Sequence, residues 1–521
     1  MKRMLVALLA AAMLIAIPTG CTKKDPPPAP PSDDAQEREI KDTINIALAY
    51  DITSIDPHVG KEMRACIISQ QIFDTLVEWD PQGGIGSTIL PCLATEWEYL
   101  SDTSVQFKLR QGVLFQDGNE MTAEDVKYSM ERCMASPQVG YNATWMESVD
   151  IVDEYTVVIN THEPYAPMLP ALTITPFSIV SKAAASADEK NFGSNPIGTG
   201  RYKLVKYTSG EGAQLEAFED CWRGAPKTKN LDMMIVTENA QRTILLETGE
   251  VDIAYEILPN DVAKVEANDA LKMATTPGTK CYLANYNTLS KGPIGNKLVR
   301  QAIEACIDKQ LLVDNVLYGY GTAAYNIVSP ANVGYQAVEE RPQDLEKARA
   351  LLTEAGYPGG GFSINLWLDT SNVWMQYAQI IQADLDKVGI TLNIEAMESS
   401  ALQSREANDK DNFDMSVRFM NSLTGDARFT LYNLLYSTSA SNKSYWNHPR
   451  ADELMMQGRA IVDVQASHDL YTELYGIIRD EMPSLPLYFD EILVGLSANV
   501  EGFIPRGDGI HVFGSDVVCY K

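Results

Sequence analysis

The chain has 521 residues, 45% of them hydrophobic and 21% charged, with 34 Gly and 26 Pro; this suits a folded body and excludes a coiled coil, a collagen or a wholly disordered chain. Its 42 Lys and Arg stand against 70 Asp and Glu, a net charge of −28 that repels phosphate and argues against a nucleic-acid partner. At roughly 100–200 residues per domain, the length allows about three lobes, each able to bury its own core. At the N-terminus Lys2 and Arg3 precede an apolar run over residues 4–17. At about 1.5 Å per helical residue the run reaches roughly 21 Å, short of a ~30 Å hydrocarbon core. Residues 1–20 therefore read as a signal peptide and not a permanent span.

The run ends in Pro18-Thr19-Gly20-Cys21. This resembles the lipobox of bacterial lipoproteins, with Pro18 where Leu is usual, and the resemblance implies that Cys21 is acylated. The other reading is an ordinary secretory signal followed by an incidental cysteine. Residues 21–40 carry Pro26, Pro27, Pro28, Pro30 and Pro31 among charged side chains. Such a segment favours extended polyproline II and reads as a tether that holds a globular body off a membrane. Seven cysteines follow, the nearest two 25 residues apart, so no zinc-knuckle or CxxC spacing exists. Most read as small core residues, an odd number leaves at least one unpaired, and a disulfide among the rest stays open.

From residue 43 the pattern is mixed. Ile44, Ile46 and Leu48 alternate with smaller or polar residues and predict a strand, as do Val105, Phe107 and Leu109. Thr122 with Asp125 three residues on predicts a capped helix start, and Val126, Met130 and Cys133 its buried face. In the second half, Val299, Ile303, Cys306 and Ile307 form a helical stripe, and Leu345, Ala348, Leu351 and Leu352 another that Gly356 and Pro358 stop. Ile380, Ile381, Leu385 and Val388 lead to Gly389, after which Ile390, Leu392 and Ile394 alternate as a strand. Two more helical stripes lie between residues 452 and 481. The chain reads as mixed α/β without an internal repeat.

Catalytic signatures are scarce. No GxSxG, P-loop, HExxH or GxGxxG occurs, and the five histidines show no helical ligand spacing. Carboxylates are too common here to mark a glycosidase pair. The sequence points to binding without covalent chemistry, with no cofactor, no metal and no enzyme activity. Aromatic residues in polar, loop-like contexts, among them Tyr141, Trp145, Tyr325, Trp367, Trp374 and Tyr445-Trp446, are either core rings or rings that stack on a ligand in a concave site.

Residues 71–132 carry, in order, Ile72-Phe73-Asp74-Thr75-Leu76-Val77-Glu78, Pro91-Cys92-Leu93-Ala94-Thr95-Glu96-Trp97, Phe107-Lys108-Leu109-Arg110-Gln111-Gly112-Val113, Phe115-Gln116-Asp117-Gly118 and Thr122-Ala123-Glu124-Asp125-Val126. This region resembles the family 5 extracytoplasmic solute-binding proteins of ABC importers, the peptide- and nickel-binding family. Pro196-Ile197-Gly198-Thr199-Gly200-Arg201-Tyr202, Gly249-Glu250-Val251-Asp252-Ile253, Val299-Arg300-Gln301-Ala302-Ile303 and Leu351-Leu352-Thr353-Glu354-Ala355-Gly356-Tyr357 extend it to the C-terminus. The resemblance implies a type II periplasmic-binding-protein-like α/β fold, two lobes joined by a hinge, with an extra domain inserted in lobe I. Lobe I is expected at 41–87, 196–277 and 485–521, the insert at 88–195, and lobe II at 278–484. Hinge strands are expected near residues 275–280 and 485–487.

The implied function is capture of oligopeptides by hinge closure and delivery to a membrane permease with its ATPase subunits. The protein would be a monomer, held by its lipid anchor at the outer face of the bacterial cell membrane. Within the same fold, an oligosaccharide or metal-chelate ligand, or an adhesive or signalling lipoprotein without a transporter, are the alternatives. Peptide binders of the family hold the ligand's ammonium with a lobe II Asp, and Asp426 matches that position; as a residue it reads equally as an N-cap for the helix behind it. Arg418 lies where oligopeptide binders carry a carboxylate-binding Arg, and reads otherwise as a structural ion pair. Trp374 and Asn372, in the segment after the strand at 364–368, are candidates to line the cleft, as are His58 in the loop 51–58 and Tyr141.

Overall fold

The computed structural model describes residues 38–60, 65–409, 412–463 and 465–521. The leader, Cys21 and the tether as far as residue 37 lie outside the described residues. Residues 40–521 form one compact unit.

In chain order the strands are β1 (Thr43–Leu48), β2 (Val77–Trp79), β3 (Ile89–Pro91), β4 (Ala94–Ser101), β5 (Ser104–Leu109), β6 (Met146–Asp153), β7 (Thr156–Thr161), β8 (Tyr202–Thr208), β9 (Gly212–Ala217), β10 (Asn230–Ile235), β11 (Ile253–Ala254), β12 (Leu271–Tyr286), β13 (Gly321–Ala323), β14 (Phe362–Asp369), β15 (Ile390–Met397), β16 (Met415–Asn421) and β17 (Ser484–Ser497). Most join one sheet in the order β15-β14-β16-β12-β17-β11-β1-β10-β9-β8, with β13 alongside β17. β4-β5-β7-β6 make a separate four-stranded antiparallel sheet, and β2 and β3 a short hairpin. This is the two-lobed type II binding-protein architecture with an extra domain.

β1 shows why the elements form where they do. It lies between β10 and β11, parallel to both, so both of its faces are covered. Ile44, Ile46 and Ala47 are accordingly fully buried, and the alternation seen in the sequence gives way to continuous burial toward Leu48. Ile44 and Ile46 face a core with Met233 and Val494, whereas Ala47 faces one with Leu246 and Leu493. The helix Ala123–Ala135 starts at Thr122 as expected, and the Asp125 carboxylate accepts the Thr122 N–H at 3.0 Å. Its Val126, Met130 and Cys133 pack against Val105 and Phe107 of the four-stranded sheet. In the second half, helices Lys297–Cys306, Leu345–Glu354 and Asn372–Asp386 cover one face of β12, β14 and β16. Helices Ala427–Leu435, Pro449–Ala460 and His468–Glu481 lie on the other.

Two long strands run through both halves of the large sheet. Residues 271–277 of β12 pair with 491–497 of β17, and residues 281–285 pair with 484–489. Between them the register slips at Pro277–Cys281. Pro277 has no N–H to give the ladder. At Gly278 a Cβ would lie 1.9 Å from Asp490 Oδ1, so a larger residue would push the Asp490 side chain aside. Lys280 Nζ stands 3.6 Å from Asp490 Oδ2, and Thr279 donates to Asn421 Oδ1 at 2.7 Å. The irregularity on β12 thus falls within the stretch expected from the sequence. On β17 it lies opposite Phe489–Glu491, and a second shift between Tyr282 and Leu283 passes over Leu487, inside residues 485–487.

Candidate functional site

A pocket forms where distant segments meet. It is lined by Gln70 of the helix Ala65–Ile72, by Val139, Tyr141 and Asn142, by residues 173–176, by Arg506, Asp508 and Ile510, and by Leu423 from the loop after β16. Its enclosed cavity is about 30 Å³, room for a few water molecules, and it opens to solvent.

The C-terminal wall is built from the helix outward. The Gln71 side chain donates to the His511 carbonyl at 2.8 Å and accepts the Phe513 N–H at 2.9 Å, clamping the strand-like segment to the helix. His511 Nδ1 in turn accepts the Arg506 N–H at 3.1 Å, and its ring packs edge-on against Tyr255. Burial is the main cause that drives the His511 pKa down to about 3, so the ring stays neutral and able to accept. Arg506 Nε and Nη2 reach Asp508 at 3.3 and 2.8 Å, and Asp508 also accepts the Ile510 N–H at 2.9 Å. On the opposite wall Gln70 donates to Thr175 Oγ1 at 3.2 Å. Asn142 donates to the Val139 carbonyl at 3.0 Å, while its Oδ1 is buried with no hydrogen-bond partner.

The two halves of the molecule also touch directly beside this pocket. The Ala166 N–H donates to the Arg459 carbonyl at 2.7 Å, and the Arg459 guanidinium lies over the Tyr165 ring. In the β2–β3 loop, Gly86 has φ +81°, and a Cβ there would lie 2.4 Å from the Ala331 carbonyl oxygen. Gly425 sits equally close to Ile85.

Of the residues singled out in the sequence, the pocket includes Tyr141, which is 59% exposed. Asp426 is fully buried: it N-caps the helix Ala427–Leu435 by accepting the Arg428 N–H at 2.8 Å, and both its oxygens take the Arg428 guanidinium. Arg418 pairs with the buried Glu406 on the preceding helix, Ser399–Asn408. Trp374 does not sit in a loop. Ser371 N-caps a helix that Asn372 opens, and Trp374 turns into the core against Tyr282 and Tyr377.

His58 is buried as well. Its Nε2 donates to the Ser178 carbonyl at 3.2 Å and its Nδ1 accepts from Arg132 at 2.9 Å. Desolvation lowers its pKa to about 4; Asp56 opposes that shift and Arg132 adds to it. Among the described residues no group of three or more His, Cys, Asp or Glu side chains could hold a metal ion. Asn142, Arg506, Asp508, Gln70 and Leu423 were not singled out. Leu423 alone had a local signal, being three residues before Asp426 in the loop expected to face the ligand.

A large mixed sheet with helices on both faces, a separate four-stranded sheet and a pocket assembled from distant segments suit a protein that binds a solute. Residues 88–442 match the family of bacterial extracellular solute-binding proteins, family 5 (middle), and the chain belongs to that family. It is similar to the glutathione-binding protein GsiB of Shigella dysenteriae serotype 1, 27% identical over 478 residues covering 89% of this chain and 92% of the relative. Among solved structures it is similar to HbpA2 from Haemophilus parasuis, with 27% identity, a TM-score of 0.81, and coverage of 92% of this chain and 100% of that one. It is also similar to the ABC transporter-associated periplasmic binding protein DppA from Helicobacter pylori in complex with the peptide STSA. There the identity is 25% and the TM-score 0.78, with coverage of 93% and 99%. The chain is therefore an extracytoplasmic solute-binding protein.

Proposed function

We propose that this protein is the peptide-capturing subunit of an ABC importer, monomeric and lipid-anchored through Cys21 to the outer face of the bacterial cell membrane. The observation that carries the reading is the pocket itself: segments of the β1 half, the four-stranded sheet and the C-terminus meet Leu423 of the other half around one space. A ligand bound there touches both halves and shifts the population toward the closed form about the β12–β17 crossing. The permease then recognises the closed form. The names of similar proteins, a glutathione-binding protein and a binding protein in complex with a four-residue peptide, support the same class.

The lobes we propose are residues 41–87, 196–277 and 485–521 for the first, 88–195 for its insert, and 278–484 for the second. Native mass spectrometry of the protein purified without denaturation tests the reading. Adducts that fragment into peptides of a few residues are expected; a sugar or a metal-chelate mass would overturn the peptide ligand. Incorporation of labelled palmitate, lost in Cys21→Ser together with release of the protein from membranes, tests the anchor.

A further inference from the structure

We infer that Arg459 is a clasp between the domain of the four-stranded sheet and the second half of the chain, so that part of the free energy of closure comes from the protein itself and not from the ligand. The first side of the clasp is a stiff arm that follows β7. Pro164 and Pro167 fix their own φ on either side of Tyr165 and Ala166. The His162 N–H donates to the Trp145 carbonyl at 3.2 Å, and the Thr161 hydroxyl donates to the Glu163 carbonyl at 2.7 Å. Tyr165 stacks on Trp145 with ring centres 4.9 Å apart, and Trp145 in turn leans on Phe177. The arm thus presents one ring face and one N–H group in fixed directions.

Both groups meet Arg459, in the last turn of the helix Pro449–Ala460. Its guanidinium carbon lies 5.1 Å from the centre of the Tyr165 ring and 4.0 Å from that of Tyr432, so a ring from each side shares one cation. Tyr432, on the helix Ala427–Leu435, is backed by Tyr436 at 4.5 Å. The Arg459 carbonyl is among the last four of its helix, which have no acceptor role within it, and it takes the Ala166 N–H at 2.7 Å. Arg428 steadies this helix end by donating from Nη1 to the Ile461 carbonyl at 2.9 Å. Such a contact can open: Arg459 and Tyr432 are only half-buried, and one hydrogen bond and two ring–cation contacts exchange for water at far less cost than a broad apolar face. The clasp does not depend on the identity of the ligand; it requires only the lobes proposed above.

The test reads the distance across the clasp by double electron–electron resonance, with spin labels on Glu147→Cys and Asp469→Cys, two exposed positions of the full-length protein. The protein is unfolded and refolded first, so that no carried-over ligand holds it closed. Arg459→Met should lower the ratio of short to long distances about tenfold. Arg459→Lys keeps the charge without the planar face and should lower it less; it decides alone where melting shows the methionine variant unfolded. Tyr165→Leu should shift the ratio as Arg459→Met does, and the two together should shift it no further. A distribution like that of the unaltered protein in both Arg459 variants overturns the clasp, as do independent, additive shifts from Arg459→Met and Tyr165→Leu. Gly86→Ala, which crowds the separate contact with Ala331, tells the two readings apart. If it alone lengthens the distance, the lobes stand and the clasp falls; if no variant lengthens it, the proposed lobes fall with the clasp.

Discussion

Among the described residues two Arg–Asp pairs join side chains separated by a single residue, Asp426 with Arg428 and Arg506 with Asp508. In the first, every guanidinium nitrogen is used: Nε and Nη2 bond Asp426, and Nη1 donates to the Ile461 carbonyl at 2.9 Å. Both side chains are almost wholly removed from solvent, and Asp426 also caps a helix. In the second, one guanidinium edge is unspent and the pair borders a pocket. The same two residue types therefore make a closed structural knot in one place and a pair with a guanidinium edge to spare in the other. What separates them is not sequence spacing but whether a third acceptor and a helix terminus lie within reach.

The largest expected effect would come from breaking the closed pair. Asp426→Ala leaves the Arg428 cation buried and uncompensated, which should cost about 3–5 kcal/mol in urea denaturation. Arg506→Gln should cost less, about 1–2 kcal/mol, because its guanidinium is partly solvated and glutamine still donates to Asp508. Equal losses would remove the distinction between the pairs.

Acid should sharpen it next. The folded-state pKa of His58, about 4, lies below the value of about 6.5 for an unfolded histidine. Between those values the unfolded chain binds a proton that the folded one refuses, so stability falls as pH drops from 6.5 to 4 and levels off below. The total is about 3 kcal/mol. Denaturation midpoints at pH 7 and 4.5 should show this loss, and His58→Gln, which keeps a donor for Ser178, should remove most of it. His511 shifts in the same direction. Its protonation below pH 4 would cost the turn at Arg506 its acceptor, while the Asp426 pair has no histidine among its hydrogen-bond partners.

A smaller effect is expected at the contact between the halves. Gly86→Ala forces a Cβ against the Ala331 carbonyl at a positive φ. A loss of about 1–3 kcal/mol is expected, together with a larger radius of gyration by small-angle X-ray scattering. The smallest stability change is expected for Tyr141→Ala, within about 0.5 kcal/mol because the ring is mostly exposed. Its peptide affinity should nevertheless fall several-fold.

The elements themselves were readable because their signals are local. β1, the capped helix at Thr122 and the helix–Gly389–strand unit each follow from residues within a dozen positions. The segment after β14 misled because 369–372 is all polar; yet Ser371 as a cap, with Trp374, Tyr377, Ala378, Ile381 and Leu385 at helical spacing, was already there to be read. Asp426 could have been recognised as spent from Arg428, its neighbour one residue removed. The pocket had no such signal. Gln70, Asn142, Leu423 and Arg506 are brought together only by tertiary packing, and an acceptor left without a partner has no signature in sequence.

The seven cysteines after residue 21 carry a further consequence. Cys92, Cys133, Cys221, Cys281, Cys306 and Cys519 are buried and unbridged, and burial lifts the thiols of Cys133 and Cys306 to about 12. An exported chain meets oxidising surroundings, yet these six thiols are shielded from them in the folded body. Once folded, these six present no thiolate to oxidants or to other chains. They become reactive only when the body opens, so the rate at which a thiol reagent labels them is a clock for unfolding, and bound ligand should slow that clock.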